Sequence, residues 1–135
     1  MFWLEFSQPC GRLNRWLNVP QVQEIRDLCD GIGICSLFAL YCSSDLQVSE
    51  IAVPEPNDVL NIYETIANHA IIERLCHELF PEKIYHLRIT DFLYIHGYMK
   101  QNILSFLVDL FHHLEINPII RVNRLTHVPV RLELQ

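Results

Sequence analysis

The sequence predicts an all-α domain, a helical bundle around one buried central helix with an extended C-terminal tail. Three observations predict it. Residues 31–42 are hydrophobic or glycine at every position except Ser36, and a helix that is apolar all round has to be covered all round. Residues 59–79 carry a broad apolar stripe at helical spacing and stop before Pro81. Residues 98–115 repeat that pattern, with Pro118 three residues beyond. Composition agrees: half of the 135 residues are hydrophobic and 19% are charged, enough apolar surface for one core and too much for a disordered chain.

Each element can be justified in order. Near the start, Phe2, Trp3 and Phe6 are separated by Pro9-Cys10-Gly11 from Leu13, Trp16 and Leu17. The second cluster has i, i+3, i+4 spacing, so one or two short helices are expected with a break near residues 9–11. The aromatic residues Phe2, Trp3, Phe6 and Trp16 have two readings: core covering the central helix, or an exposed patch for a partner. Pro20 ends this part, and Val22, Ile25 and Leu28 form a short amphipathic turn leading to Asp30. The Asp30 carboxylate is placed to accept an N–H of the first turn of the central helix. At about 13 residues that helix is shorter than the roughly 20 needed to cross a bilayer.

Residues 43–56 read as a loop pinned by Val48, Ile51 and Val53. The next helix is expected to start near Asn57 or Asp58. Its apolar positions are Val59, Leu60, Ile62, Tyr63, Ile66, Ala67, Ala70, Ile71, Leu75, Cys76 and Leu79, a stripe broad enough to meet more than one neighbour. Thr90-Asp91 caps a single short turn through Phe92–Ile95, which Gly97 breaks. The last helix has one ridge of Ile103, Leu107, Leu110 and Leu114 and an adjacent one of Leu104, Val108 and Phe111. Asn102, Ser105, Asp109 and His112 or His113 take the wet face. In the tail, Val128, Val130, Leu132 and Leu134 alternate with other residues at a period of two. That pattern suits a strand, a docked extended arm, or a segment that orders on contact, and no partner strand is evident elsewhere in the chain. The expected organisation is a domain over 1–118 and a tail over 119–135.

Charge and chemistry narrow the function. The net charge of −6 disfavours nucleic acid and anionic membrane surfaces, both of which select for lysine and arginine. The five cysteines, at 10, 29, 35, 42 and 76, contain no CxxC pair, and are expected to be reduced and mostly buried. No secretory signal is evident at the N-terminus, so a cytoplasmic protein is expected. Adjacent His112 and His113 point about 100° apart on a helix, so the two do not share one metal site. Cys29 sits between Asp27 and Asp30, which oppose thiolate formation. Gly31-Ile32-Gly33 follows no strand and lacks the third glycine of a dinucleotide fingerprint. No enzyme, metal or cofactor is expected.

The apolar helix opening with Asp30-Gly31 and closing with Tyr41-Cys42 resembles the calponin-homology (CH) fold. So do the six-turn helix bounded by prolines, the turn Thr90-Asp91-Phe92-Leu93-Tyr94, and the closing run Leu110-Phe111-His112-His113-Leu114-Glu115. The nearest branch is the CH domain of the CAMSAP/Patronin family of microtubule minus-end regulators. Two features depart from that branch. His112-His113 stands where it tends to carry aromatic residues, and Pro9-Cys10-Gly11 interrupts the first helix. The resemblance implies a non-catalytic protein-interaction module of a cytoskeletal, microtubule-associated protein, binding an adaptor or scaffold. Self-association and direct microtubule binding are the alternatives, with a second copy or tubulin as partner. Candidate partner-binding residues are Trp3, Phe6, Arg12, Arg15, Trp16, Arg121 and Arg124. The acidic balance argues against gripping tubulin, whose exposed tails are themselves acidic, unless those arginines converge.

Overall fold

The computed structural model describes residues 2–6, 22–94, 97, 99–119, 122 and 130–134. Helix α1, Ile32–Tyr41, lies at the centre with every residue buried. Its hydrophobicity on all sides leaves no solvent face, and its serine is satisfied internally: Ser36 Oγ donates to the Ile32 carbonyl at 2.6 Å. The Asp30 cap forms as expected, with Asp30 Oδ1 accepting from Ile32 N at 3.0 Å. Gly31 makes the turn into the helix at φ 78°, the left-handed region that L-residues avoid.

A 3-10 turn at Ile25–Leu28 leads in, and another at Val48–Glu50 follows α1. Helix α2, Ile62–Leu79, packs along α1. Its inner line is Thr65, Asn68, His69, Ile72, Leu75, Cys76 and Leu79. Helix α3 is the short turn Ile89–Leu93, where Asp91 Oδ2 accepts from Arg88 N at 2.7 Å. Helix α4 runs Met99–Phe111, buries Ile103, Phe106 and Leu110, and continues into a wide π turn at His112–Ile116.

Aromatic rings join these elements. Phe106 meets Tyr85 edge-on at 5.4 Å and Phe92 edge-on at 6.5 Å, and Phe92 lies 4.6 Å from His69. Phe80 lies between Phe38 at 6.1 Å and His113 at 5.3 Å, so His113 takes the place of an aromatic residue at this position. The π turn carries Leu114 inward and sets Glu115 Oε2 2.8 Å from the Tyr41 hydroxyl, which donates to it and ties the ends of α1 and α4 together.

Three expectations change. Phe2–Phe6 is a strand, β1, and not a helix; it pairs antiparallel with β2, Val130–Leu134, in the register Phe2↔Leu134 to Phe6↔Val130. The tail therefore has a sheet partner. Helix α2 starts four or five residues later than expected. The reason is local: Asn57 adopts φ 65° and Asn61 is the N-cap, its side chain accepting from Glu64 N at 2.9 Å. On α4 the central buried residue is Phe106, while Val108 faces solvent. The expected helix around Leu13, Trp16 and Leu17 lies outside the described residues.

The two glycines at the head of α1 differ in what they allow. A Cβ at Gly31 would sit 2.9 Å from Asn68 Cβ, besides being strained by its positive φ. A Cβ at Gly33 would meet the end of the Leu28 side chain at 3.0 Å, which can yield. Gly31→Ala is therefore expected to lower stability by about 2–4 kcal/mol. Gly33→Ala should stay within about 1 kcal/mol, because relief of the helical glycine penalty offsets the crowding. Denaturant titration of both variants checks the contrast.

Candidate protein-interaction face

Helix α2 divides its two faces in an unusual way. Along its first half the inward residues are polar: Thr65, Asn68 and His69 are buried. Over the same turns the outward residues are apolar: Ile62, Tyr63 and Ile66 are 49%, 81% and 39% exposed, and Val59 just before them is 83% exposed. Ala67 and Ala70 extend this face. At about 100° per residue, the arc from Ile62 to Ala67 is centred roughly 140° from the buried line, with Ile62 at its edge beside His69. Below the midpoint the usual arrangement returns, with Ile72, Leu75 and Leu79 inside and Glu73, Arg74 and His77 outside. The broad stripe expected to pack against several neighbours is thus half surface.

The buried polar residues explain the inversion. Asn68 Oδ1 accepts from Ala52 N at 2.9 Å, and its Nδ2 donates to Ala52 O at 2.9 Å and to Asp30 O at 3.1 Å. One side chain thus serves the Ala52 backbone as a neighbouring strand would, and closes the turn before Gly31 as well. His69 Nε2 lies 2.6 Å from the Cys29 carbonyl. A carbonyl only accepts, so Nε2 carries the proton, and Nδ1 is buried with no hydrogen-bond partner. Burial pushes the His69 pKa down, with the Cys29 hydrogen bond and Asp30 acting the other way. Burial likewise raises the Asp30 carboxyl above its ordinary value. Asn68 holds the loop at Ala52 against α2, and the run 53–59 that follows is exposed and leads into its first turn.

The rim is acidic. Glu55, Asp58 and Glu64 flank the arc, and among the described residues none of the three is ion-paired. Glu64 is instead hydrogen-bonded to the amide of Asn61.

Of the site residues expected from sequence, two are among the described residues. Trp3 and Phe6 are on β1, their backbones opposite Glu133 and Val130. Arg12, Arg15, Trp16, Arg121 and Arg124 fall outside the described residues. Chemistry is subdued in the described part. Cys29 is raised by burial and by Asp30, and burial pushes Cys35 and Cys76 up to about 12. Among the described residues no three His, Cys, Asp or Glu side chains gather as a metal site, and no helix is long and apolar enough to cross a membrane.

The family profile described as the CAMSAP CH domain matches residues 13–96, more than half of the chain. The chain belongs to the CAMSAP CH-domain family. Patronin of Drosophila melanogaster is 29% identical over 101 residues, 75% of this chain and 6% of that protein. Calmodulin-regulated spectrin-associated protein 1-B of Danio rerio is 28% identical over 92 residues, 68% of this chain and 6% of that protein. The Caenorhabditis elegans Patronin (microtubule-binding protein) homolog is 26% identical over 99 residues, 73% of this chain and 9% of that protein. The chain thus spans less than a tenth of the length of these relatives. No solved structure matches it. The CAMSAP CH-domain match includes α1, α2, α3 and the 53–61 loop, and stops before α4.

Two outcomes check the buried polar cluster. Asn68→Ala leaves three backbone groups without their partner and is expected to destabilise by about 2–4 kcal/mol in denaturant titration. The lowered His69 pKa makes the unfolded state the better proton acceptor. Stability is then full above the ordinary imidazole pKa of about 6.5 and is lost as pH falls through and below it. Melting curves between neutral and mildly acidic pH should show that loss, and His69→Phe should flatten it.

Proposed function

We propose that the chain is a non-catalytic protein-interaction module of a CAMSAP/Patronin-like, microtubule-associated protein, working at the cytoskeleton in the cytoplasm and binding an adaptor or regulatory protein. The observation that carries this reading is the outward arc of α2. Three large apolar residues, Ile62, Tyr63 and Ile66, remain exposed on this helix, and Val59 on the loop before it is exposed as well. Apolar surface left in one place on a small domain is a mark of a contact surface. Burial raises the thiols of Cys35, Cys76 and half-buried Cys29, which leaves these three without the thiolate of an activated nucleophile. Family membership supports the cytoskeletal setting, and the printed name of the Caenorhabditis elegans relative calls that protein microtubule-binding. In this reading the domain is residues 1–118, and 119–135 is an extended appendage joined to it.

A second reading, direct microtubule binding, draws on the terminal ladder. Phe6 pairs with Val130, and Arg12 and Arg124 each lie six residues from that pair along the chain. In that reading Arg12, Arg15, Arg121 and Arg124 would supply the basic contacts. Trp3, Phe6 and Trp16 would join them in such a surface.

Co-sedimentation with microtubules and, in parallel, with actin filaments separates the two readings. The chain is expected to stay in the supernatant with both. Pelleting with microtubules that weakens with salt and is lost in Arg121→Glu plus Arg124→Glu would establish the second reading against the first.

A further inference from the structure

We infer that the outward face of α2 and the 53–59 loop form the docking surface for an amphipathic basic helix, a partner segment whose apolar stripe is flanked by lysine and arginine. The inference rests on the interaction-module reading and names the chemistry of its partner. Its first ground is shape. Ile62, Tyr63 and Ile66 stand out over little more than the first turn of the helix, and exposed Ala67 and Ala70 follow them with almost no side chain. A second helix laid along this face meets bulky residues at one end and an open approach at the other, as side chains of packed helices require.

The second ground is charge. Between Arg26 and Arg74 the chain has no lysine or arginine, and it carries eight carboxylates: Asp27, Asp30, Asp45, Glu50, Glu55, Asp58, Glu64 and Glu73. The rest of the chain holds ten basic residues against eight acidic ones, so the net charge of −6 arises in this stretch. Glu55 and Asp58 are exposed on the loop that leads into α2 and Glu64 lies in its first turn, so these carboxylates are neighbours of the apolar arc along the chain. A cationic flank on the partner is attracted; an acidic filament tail, a nucleic acid or an anionic membrane is repelled.

The same argument rejects a symmetric pair of this chain through this face. A two-fold contact would bring two copies of the same acidic stretch into one interface, with no lysine or arginine between Arg26 and Arg74 to offset them. The occupant is therefore a different sequence, and its polarity is set by the rim.

Binding to labelled synthetic peptides tests this with the whole chain. One peptide is an amphipathic helix with a leucine stripe flanked by lysine and arginine; the second has those charges reversed; the third is a scramble of the first. The first is expected to bind about tenfold or more tighter than either control in fluorescence anisotropy, and to weaken as salt rises. Ile62→Ser, Tyr63→Ser and Ile66→Ser together should weaken it by about tenfold or more with the melting temperature held within a few degrees, since all three are surface residues. No binding of the first peptide, equal binding of the charge-reversed one, or an unchanged affinity in the triple variant overturns the proposal. Sedimentation equilibrium adds one more outcome. A dimer that the triple variant dissolves would make a second copy the occupant and overturn it too. Failure here is separable from failure of the module reading. If full-length partners bind the chain and its triple variant equally, the module reading stands on another face; if they bind neither, that reading falls as well.

Discussion

The close approach of Gly31 to Asn68 is the constraint on which the other contacts depend. α1 is apolar on all sides and could be covered in many ways by a greasy neighbour. What selects one arrangement is the left-handed turn at Gly31, where a Cβ would sit 2.9 Å from Asn68 Cβ. At that contact the Asn68 amide reaches both the carbonyl of Asp30 and the backbone of Ala52. Hydrogen bonds are directional where apolar contacts are not, so this crossing sets the registry of α1, α2 and the intervening loop at once. The aromatic run from His69 through Phe92 and Phe106 to Tyr85 carries that registry on to α3 and α4.

Placing polar residues at this crossing has a consequence for the opposite side of α2. Thr65, Asn68 and His69 take the inward positions of its first turns, so the apolar residues between them occupy the outside. The surface of the domain and its interior are thus joint products of one helix phase. A rotation of α2 that buried Ile62 and Ile66 would turn Asn68 outward and release the loop that Asn68 holds.

This is also where sequence and structure part. The central helix was legible because no face of 31–42 offers a polar alternative, and Asp30 supplied a start signal that the structure keeps. The CH fold was legible from packing residues, and the family profile shows it. The phase of α2 was less so. Counting apolar residues from Val59 to Leu79 merges two arcs, and Asn68-His69 looks like surface until the Ala52 and Cys29 backbone partners are in view. Those partners lie 16 and 40 residues away in the chain. The signal that would have found the outward arc was the pair Asn68 and His69 at i+3 and i+4 from Thr65, a polar line inside an apolar run. The terminal ladder was hidden for a similar reason. Its strands are more than 120 residues apart, and alternation in either one alone names no partner.

The ladder also has a mechanical character. Phe2 and Leu134 face each other at one end of it, and Phe6 and Val130 at the other. Tension applied between Phe2 and Leu134 falls on that outermost pair first, then on Trp3 and Glu133, and so along the strands one pair at a time. Hydrogen bonds loaded in sequence yield at low force, whereas bonds sheared together resist. The two strands behave as a zip, which parts under a light pull while the Gly31–Asn68 crossing bears none of the load.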